Sequence, residues 1–131
     1  MRAYAACFLA VLVLFVAIDL VWITLVMRQL FVRHLGGMLV DSPRLGAAAA
    51  FYLIYAAGIV VLAILPAPSW PGALGLGAML GLGAYATYDL TNRATLKAWP
   101  LGVALGDIAW GTALTALAAL AGYLVLGWMR R

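Results

Sequence analysis

Charge is scarce in this 131-residue chain: only 9% of its residues are charged, and it contains no glutamate. The four acidic residues are Asp19, Asp41, Asp89 and Asp107. A single cysteine, Cys7, excludes an intrachain disulfide, so cysteine usage says nothing about redox compartment. A single histidine, His34, excludes Ser/His/Asp and Cys/His catalytic sets built in the core, and no spaced ligand pairs suggest a metal. No cofactor motif is present: the glycines from Gly72 to Gly83 lie inside an apolar run and lack the strand and lysine of a phosphate cradle. The basic residues form no cluster away from the apolar segments, so nucleic acid is not an expected partner.

What is abundant is apolar sequence, 68% of the chain. A soluble domain of this length cannot hide so much apolar surface, which makes the lipid bilayer its expected solvent. Four runs, residues 4–27, 45–65, 72–90 and 101–128, approach or exceed the ~20 residues a helix needs to cross about 30 Å of hydrocarbon. The fold class expected is an all-α integral membrane protein, a single membrane domain over residues 1–131 built as a four-helix transmembrane bundle. Arg2 ahead of the first run imitates a signal peptide, but the run continues through Asp19 to Met27 without a small-residue cleavage site, so a retained span is expected.

The connections are well marked. Leu30, Phe31, Leu35 and Met38 recur at helical spacing within Arg28–Arg44, which predicts a short interfacial helix in loop 1 with Arg28 and Arg33 in water. Asp41-Ser42-Pro43 is a start signal for the second long helix. Residues 66–71 make a tight uncharged hairpin, and Trp99-Pro100 restarts the chain into the last helix. Arg28, Arg33, Arg44, Arg93 and Lys97 fall on the face of loops 1 and 3, against Arg2, Arg130 and Arg131 on the other, which favours the loop-1 and loop-3 face as cytoplasmic. Tyr4, Trp70 and Trp128 on the terminal face, and Phe31 and Trp99 opposite, are the expected interfacial aromatics.

Three aspartates stand inside these spans. A carboxylate in hydrocarbon costs roughly 2.5–3.5 kcal/mol even on lenient insertion scales, so each needs a partner, a cavity or a function. At about 1.5 Å of rise per residue, Asp19 lies roughly 13 Å inside the loop-1 boundary, Asp107 about 10 Å and Asp89 about 6 Å. Tyr52 reaches about 12 Å, with Tyr55 a turn beyond. One polar layer is therefore expected, drawing on Asp19 and Trp22, on Tyr52, on Tyr85, Tyr88, Asp89 and Asn92, and on Asp107 and Trp110. On the third span, Ala78, Gly81, Tyr85, Tyr88, Asp89 and Asn92 share a stripe. Asp-x-x-Trp-x-Thr occurs twice, at 19–24 and 107–112, on helices expected to run antiparallel. If the carboxyls cluster they cannot all ionise, and at least one is expected to hold a proton. The plainer reading is that indole and phenol donors simply satisfy these acids, and that Asp89 pairs with Arg93. Gly77-x-x-x-Gly81 and Gly102-x-x-x-Gly106 are close-contact surfaces, for packing within the bundle or between two copies in a homodimer.

The run from Ala84 through Asp89 and Asn92, Trp99-Pro100, Asp107-Ile-Ala-Trp110-Gly-Thr112, Asp19-x-x-Trp22 and Phe51-Tyr52-x-x-Tyr55 together resemble an uncharacterised bacterial membrane-protein family, domain of unknown function 2177. The resemblance implies a four-span protein of the bacterial inner membrane and no established activity, substrate or cofactor. The leading functional expectation is a pocket for a small molecule or lipid headgroup, with transport as its extension. A structural or accessory subunit and a lipid-modifying enzyme using aspartate acid–base chemistry are the alternatives, the enzyme being the less favoured.

Overall fold

Every regular element in the computed structural model is helical among the residues it describes, 1–38, 42 and 44–131. The order is α1 (Arg2–Trp22), a π-helical segment (Ile23–Met27), α2 (Arg28–Leu35), a short 3-10 turn (Gly36–Met38), α3 (Leu45–Ile59), a second π segment (Val60–Ile64), α4 (Trp70–Thr95) and α5 (Leu101–Met129). Three rods, Arg2–His34, Leu45–Ile64 and Leu101–Met129, are long and apolar enough to cross a membrane. The helix α4 has 26 residues but is less apolar than these, carrying Asp89, Arg93 and five of the chain's glycines.

The chain is inverted relative to a soluble protein. Asp19, Asp89, Asp107 and Thr115 are buried, while Val13, Leu25, Ile54, Val61 and Leu124 are exposed. Such a surface suits lipid, and the polar atoms inside must satisfy one another.

Segment 28–35 is helical as expected, but it continues the first helix through the π turn instead of forming a separate piece. Nothing between Trp22 and Leu35 breaks a helix; the break comes at Gly36-Gly37. A 33-residue rod extends roughly 50 Å, so it outruns the hydrocarbon core. The Asp41 and Pro43 start signal, and the side chains of Leu35 and Met38, lie outside the described residues. The second expected boundary is seen directly: Ser69 Oγ accepts the Gly72 amide at 3.4 Å with Pro71 in the first turn, starting α4.

Packing centres on α5, which buries ten residues and lies most extensively against α4 and then α1. The buried row of α1 is Cys7, Val11, Phe15 and Asp19, and that of α4 is Ala73, Gly77, Gly81 and Asp89. The α1 row advances in steps of four, and the α4 row does so too once the partly buried Tyr85 is placed between Gly81 and Asp89, so each helix has one ridge that ends in a carboxyl. The row on α4 runs through Gly77, not Ala78, which faces the opposite groove with Ile108 and Thr112. A methyl group on Gly81 would lie 2.5 Å from the Gly111 carbonyl oxygen, and one on Gly77 2.7 Å from the Ala119 Cβ. Gly102 and Gly106 meet nothing inside the bundle.

Candidate functional site

The two copies of Asp-x-x-Trp-x-Thr meet. Trp110 Nε1 donates to Asp19 Oδ1 at 3.5 Å, and Trp22 Nε1 donates to Asp107 Oδ1 at 3.1 Å. The exchange is reciprocal because α1 and α5 run antiparallel: three residues separate acid from indole in each copy, so each acid is level with the other copy's tryptophan. The two indoles stack between the acids, their ring centroids 4.5 Å apart and their planes 7° from parallel. The threonines behave alike as well. Thr24 Oγ1 donates to the Leu20 carbonyl and Thr112 Oγ1 to the Ile108 carbonyl, both at 2.7 Å and both four residues back. A six-residue repeat has become a local two-fold arrangement across the α1–α5 interface.

The other helices complete the layer. Tyr52 on α3 donates its hydroxyl to Asp19 Oδ2 at 2.9 Å, so both oxygens of that carboxyl are satisfied. One turn deeper, the hydroxyls of Tyr55 and Thr115 lie 2.8 Å apart, and the Tyr55 ring meets Phe15 and Tyr85. Tyr85 fits because Gly111 leaves room for its ring: any side chain at 111 would overlap it.

Asp89 is fully buried and takes a donor that sequence reasoning placed elsewhere. Trp99 Nε1 donates to Asp89 Oδ1 at 3.3 Å, and Trp99 is only 4% exposed. The expectation of Trp99 as an interfacial aromatic is corrected: its indole folds back between Phe31 and Tyr88, with centroids at 5.4 and 5.6 Å. Arg93 does not pair with Asp89 as expected from their spacing. It donates to the Trp99 carbonyl at 2.8 Å and so pins the loop that carries the indole. Asp89 Oδ2 has no donor, and it adjoins the Asp107 carboxyl, with which it forms a hydrogen bond only when the pair holds a proton.

Between α1, α3 and α4, floored by Asp107 of α5, lies a cavity of about 420 Å³. Of the residues singled out from sequence, Asp19, Trp22, Tyr52, Tyr85, Tyr88 and Asp107 line it, and Tyr55 joins them. Asp89, Trp110 and Asn92 do not line it: Trp110 donates to Asp19, which does, and Asp89 adjoins Asp107. Sequence reasoning left out Ile23, Met27, Phe31 and Phe51 as wall residues. Ile23 and Met27 reach the cavity from the π segment, whose extra residue per turn rotates the following face inward. Among the described residues, no group of three ligand side chains is arranged to hold a metal ion.

The comparisons with known proteins bear on the whole chain. A family model described as a predicted membrane protein (DUF2177) matches residues 4–124. No curated protein and no solved structure matches the sequence.

Proposed function

Because the chain belongs to the DUF2177 family of predicted membrane proteins, we propose that it is a bacterial inner-membrane protein of four spans that binds a small molecule or lipid headgroup within the bilayer. The observation that carries this reading is the cavity of about 420 Å³ walled by aromatic rings, with the Asp19 and Asp107 carboxyls as its polar features. Binding sites for small organic molecules have this character: concave, mostly apolar, with few and well-placed polar groups. Supporting α4 as the fourth span are its 26 residues and its glycine row seated against α5. The five-to-three excess of Lys and Arg supports reading the loop-1 and loop-3 face, where the carboxyls sit, as the cytoplasmic side. Transport would call for a second copy, and the open faces of Gly102 and Gly106 are available to one.

A structural or accessory role is the second reading. It is favoured by the indole N–H that each of the three acids accepts, since these bonds fix helix register without any ligand. Acid–base catalysis would fall to the adjacent Asp89 and Asp107 carboxyls.

Native mass spectrometry of protein extracted gently from its own membrane, wild type beside Asp19→Asn, separates the first two. The binding reading expects a discrete extra mass on wild type that is lost in the variant. Bare protein in both would leave the structural role standing.

A further inference from the structure

We propose that the occupant of this cavity is an amphiphilic organic cation, a single-chain amine or quaternary ammonium compound, that enters from the bilayer between α3 and α4. The inference rests on the binding reading and names its ligand class.

Most donors of the site are already committed. The Trp22, Trp110 and Tyr52 hydrogens point at Asp107 and Asp19, and the Tyr55 hydroxyl is paired with Thr115. What faces an occupant is therefore carboxyl oxygen, aromatic ring and the neutral hydroxyls of Tyr85 and Tyr88, with no cationic donor among the lining residues. Among the described residues, no Lys, Arg or His side chain hydrogen-bonds to Asp19, Asp89 or Asp107, and the one basic residue a turn away, Arg93, is bonded to a backbone carbonyl. An anion such as a bare phosphate would meet uncompensated negative charge at low dielectric. A cation would find its counter-charge at Asp19 and Asp107, among the aromatic side chains of Trp22, Phe51, Tyr52 and Tyr85.

Asp89 adds an independent observation. It is 0% exposed, its Oδ2 has no donor, and it stands against Asp107. Two touching carboxyls need one positive charge between them, and either a proton or an ammonium group beside Asp107 supplies it. The groups that titrate around this pair are Asp19 from α1, Tyr52 and Tyr55 from α3, and Tyr85 and Tyr88 from α4. Cation and proton then compete for the same oxygens.

The route follows from the packing. The α3 rod meets α4 mainly through its Val60–Ile64 end, so the two helices part toward the acid layer. There Phe51 of α3, 45% exposed, and Tyr88 of α4, 51% exposed, both line the cavity and both reach the lipid-facing surface. A headgroup fits inside while its alkyl chain stays in hydrocarbon.

Titration of the purified protein in neutral detergent with dodecyltrimethylammonium, decyl sulfate and tetramethylammonium, read by tryptophan fluorescence and by melting temperature, tests this. The long-chain cation should saturate and bind at least about tenfold more tightly than either other probe. Asp107→Asn should weaken it by about tenfold or more while Asp107→Glu, which keeps the charge, retains it. Equal binding of tetramethylammonium would assign the site to soluble amines and overturn entry from the bilayer. Decyl sulfate binding as well as the cation would overturn the ligand class while leaving a binding pocket. If no probe saturates, the cation is overturned, and the extra mass in native spectra decides separately whether the pocket binds anything.

Discussion

The carboxyl of Asp19 accepts two hydrogen bonds, from Tyr52 and Trp110, whereas the Asp107 carboxyl accepts one from Trp22 and abuts Asp89. That difference makes the two-fold pair unequal. Removing the Trp110 donor leaves Asp19 with Tyr52, but removing the Trp22 donor leaves Asp107 beside another acid with no indole. Trp22→Phe should therefore cost more stability than Trp110→Phe, about 1–3 kcal/mol against about 1 kcal/mol or less, because only the first strands a buried acceptor. Both variants lose the same hydrogen and keep an aromatic ring, so unfolding in mixed bicelles compares them directly. Equal losses would mean that stacking between the rings, not the donors, holds the pair. The acids, Tyr52, Tyr85, Tyr88 and both tryptophans were legible in the sequence because carboxyls are rare there and the arithmetic of rise per residue set them level. Trp99 was not, since an indole beside a proline at a helix start looks interfacial until its loop is seen folded back by Arg93.

At the scale of the helices, two rows spaced by four carry the fold: small residues give way along α4 from Ala73 through Gly77 and Gly81 to Tyr85 and Asp89. The small end lets α5 come close, and the large end then spreads the helices and leaves the cavity. Gly111→Ala places a methyl group inside the Tyr85 ring, and Gly81→Val drives one into the Gly111 carbonyl. Each should destabilise by about 1–3 kcal/mol, since an overpacked core must shift side chains or backbone. Gly106→Ala, with open space around it, should stay within about 0.5 kcal/mol of wild type. Thermal unfolding in detergent checks all three, and a costly Gly106→Ala would point instead to a contact with a second copy. Helix existence was readable from apolar runs alone: α3 and α5 begin at the expected residues 45 and 101, whereas α4 runs on to Thr95 and the first rod to His34, past the expected 90 and 27. The two π segments were not, because no residue type marks them; they arise where one side chain more must be turned inward, as Val60, Ala63 and Ile64 are. The continuity of α1 into α2 was also missed, because the amphipathic spacing of a helix on the membrane and of a helix projecting past it is the same.

As a whole, the molecule places acids and rings of four helices in one half of its length and leaves a gap to the outside there. Membrane residence follows from the family and from the apolar exterior. The existence of a polar layer could be read from the chain, but not that it surrounds an empty volume: that depends on α3 and α4 parting, a matter of packing that no spacing encodes. The central claim is that something occupies this volume in the membrane. It is tested most directly by a photo-crosslinking amino acid placed at Phe51, on the cavity wall, and separately at Ile54, on the lipid-facing side of the same helix and 73% exposed. After irradiation in intact cells, the account predicts a discrete small adduct at position 51 and only a spread of bulk lipid at position 54. The same spread at both positions would contradict it.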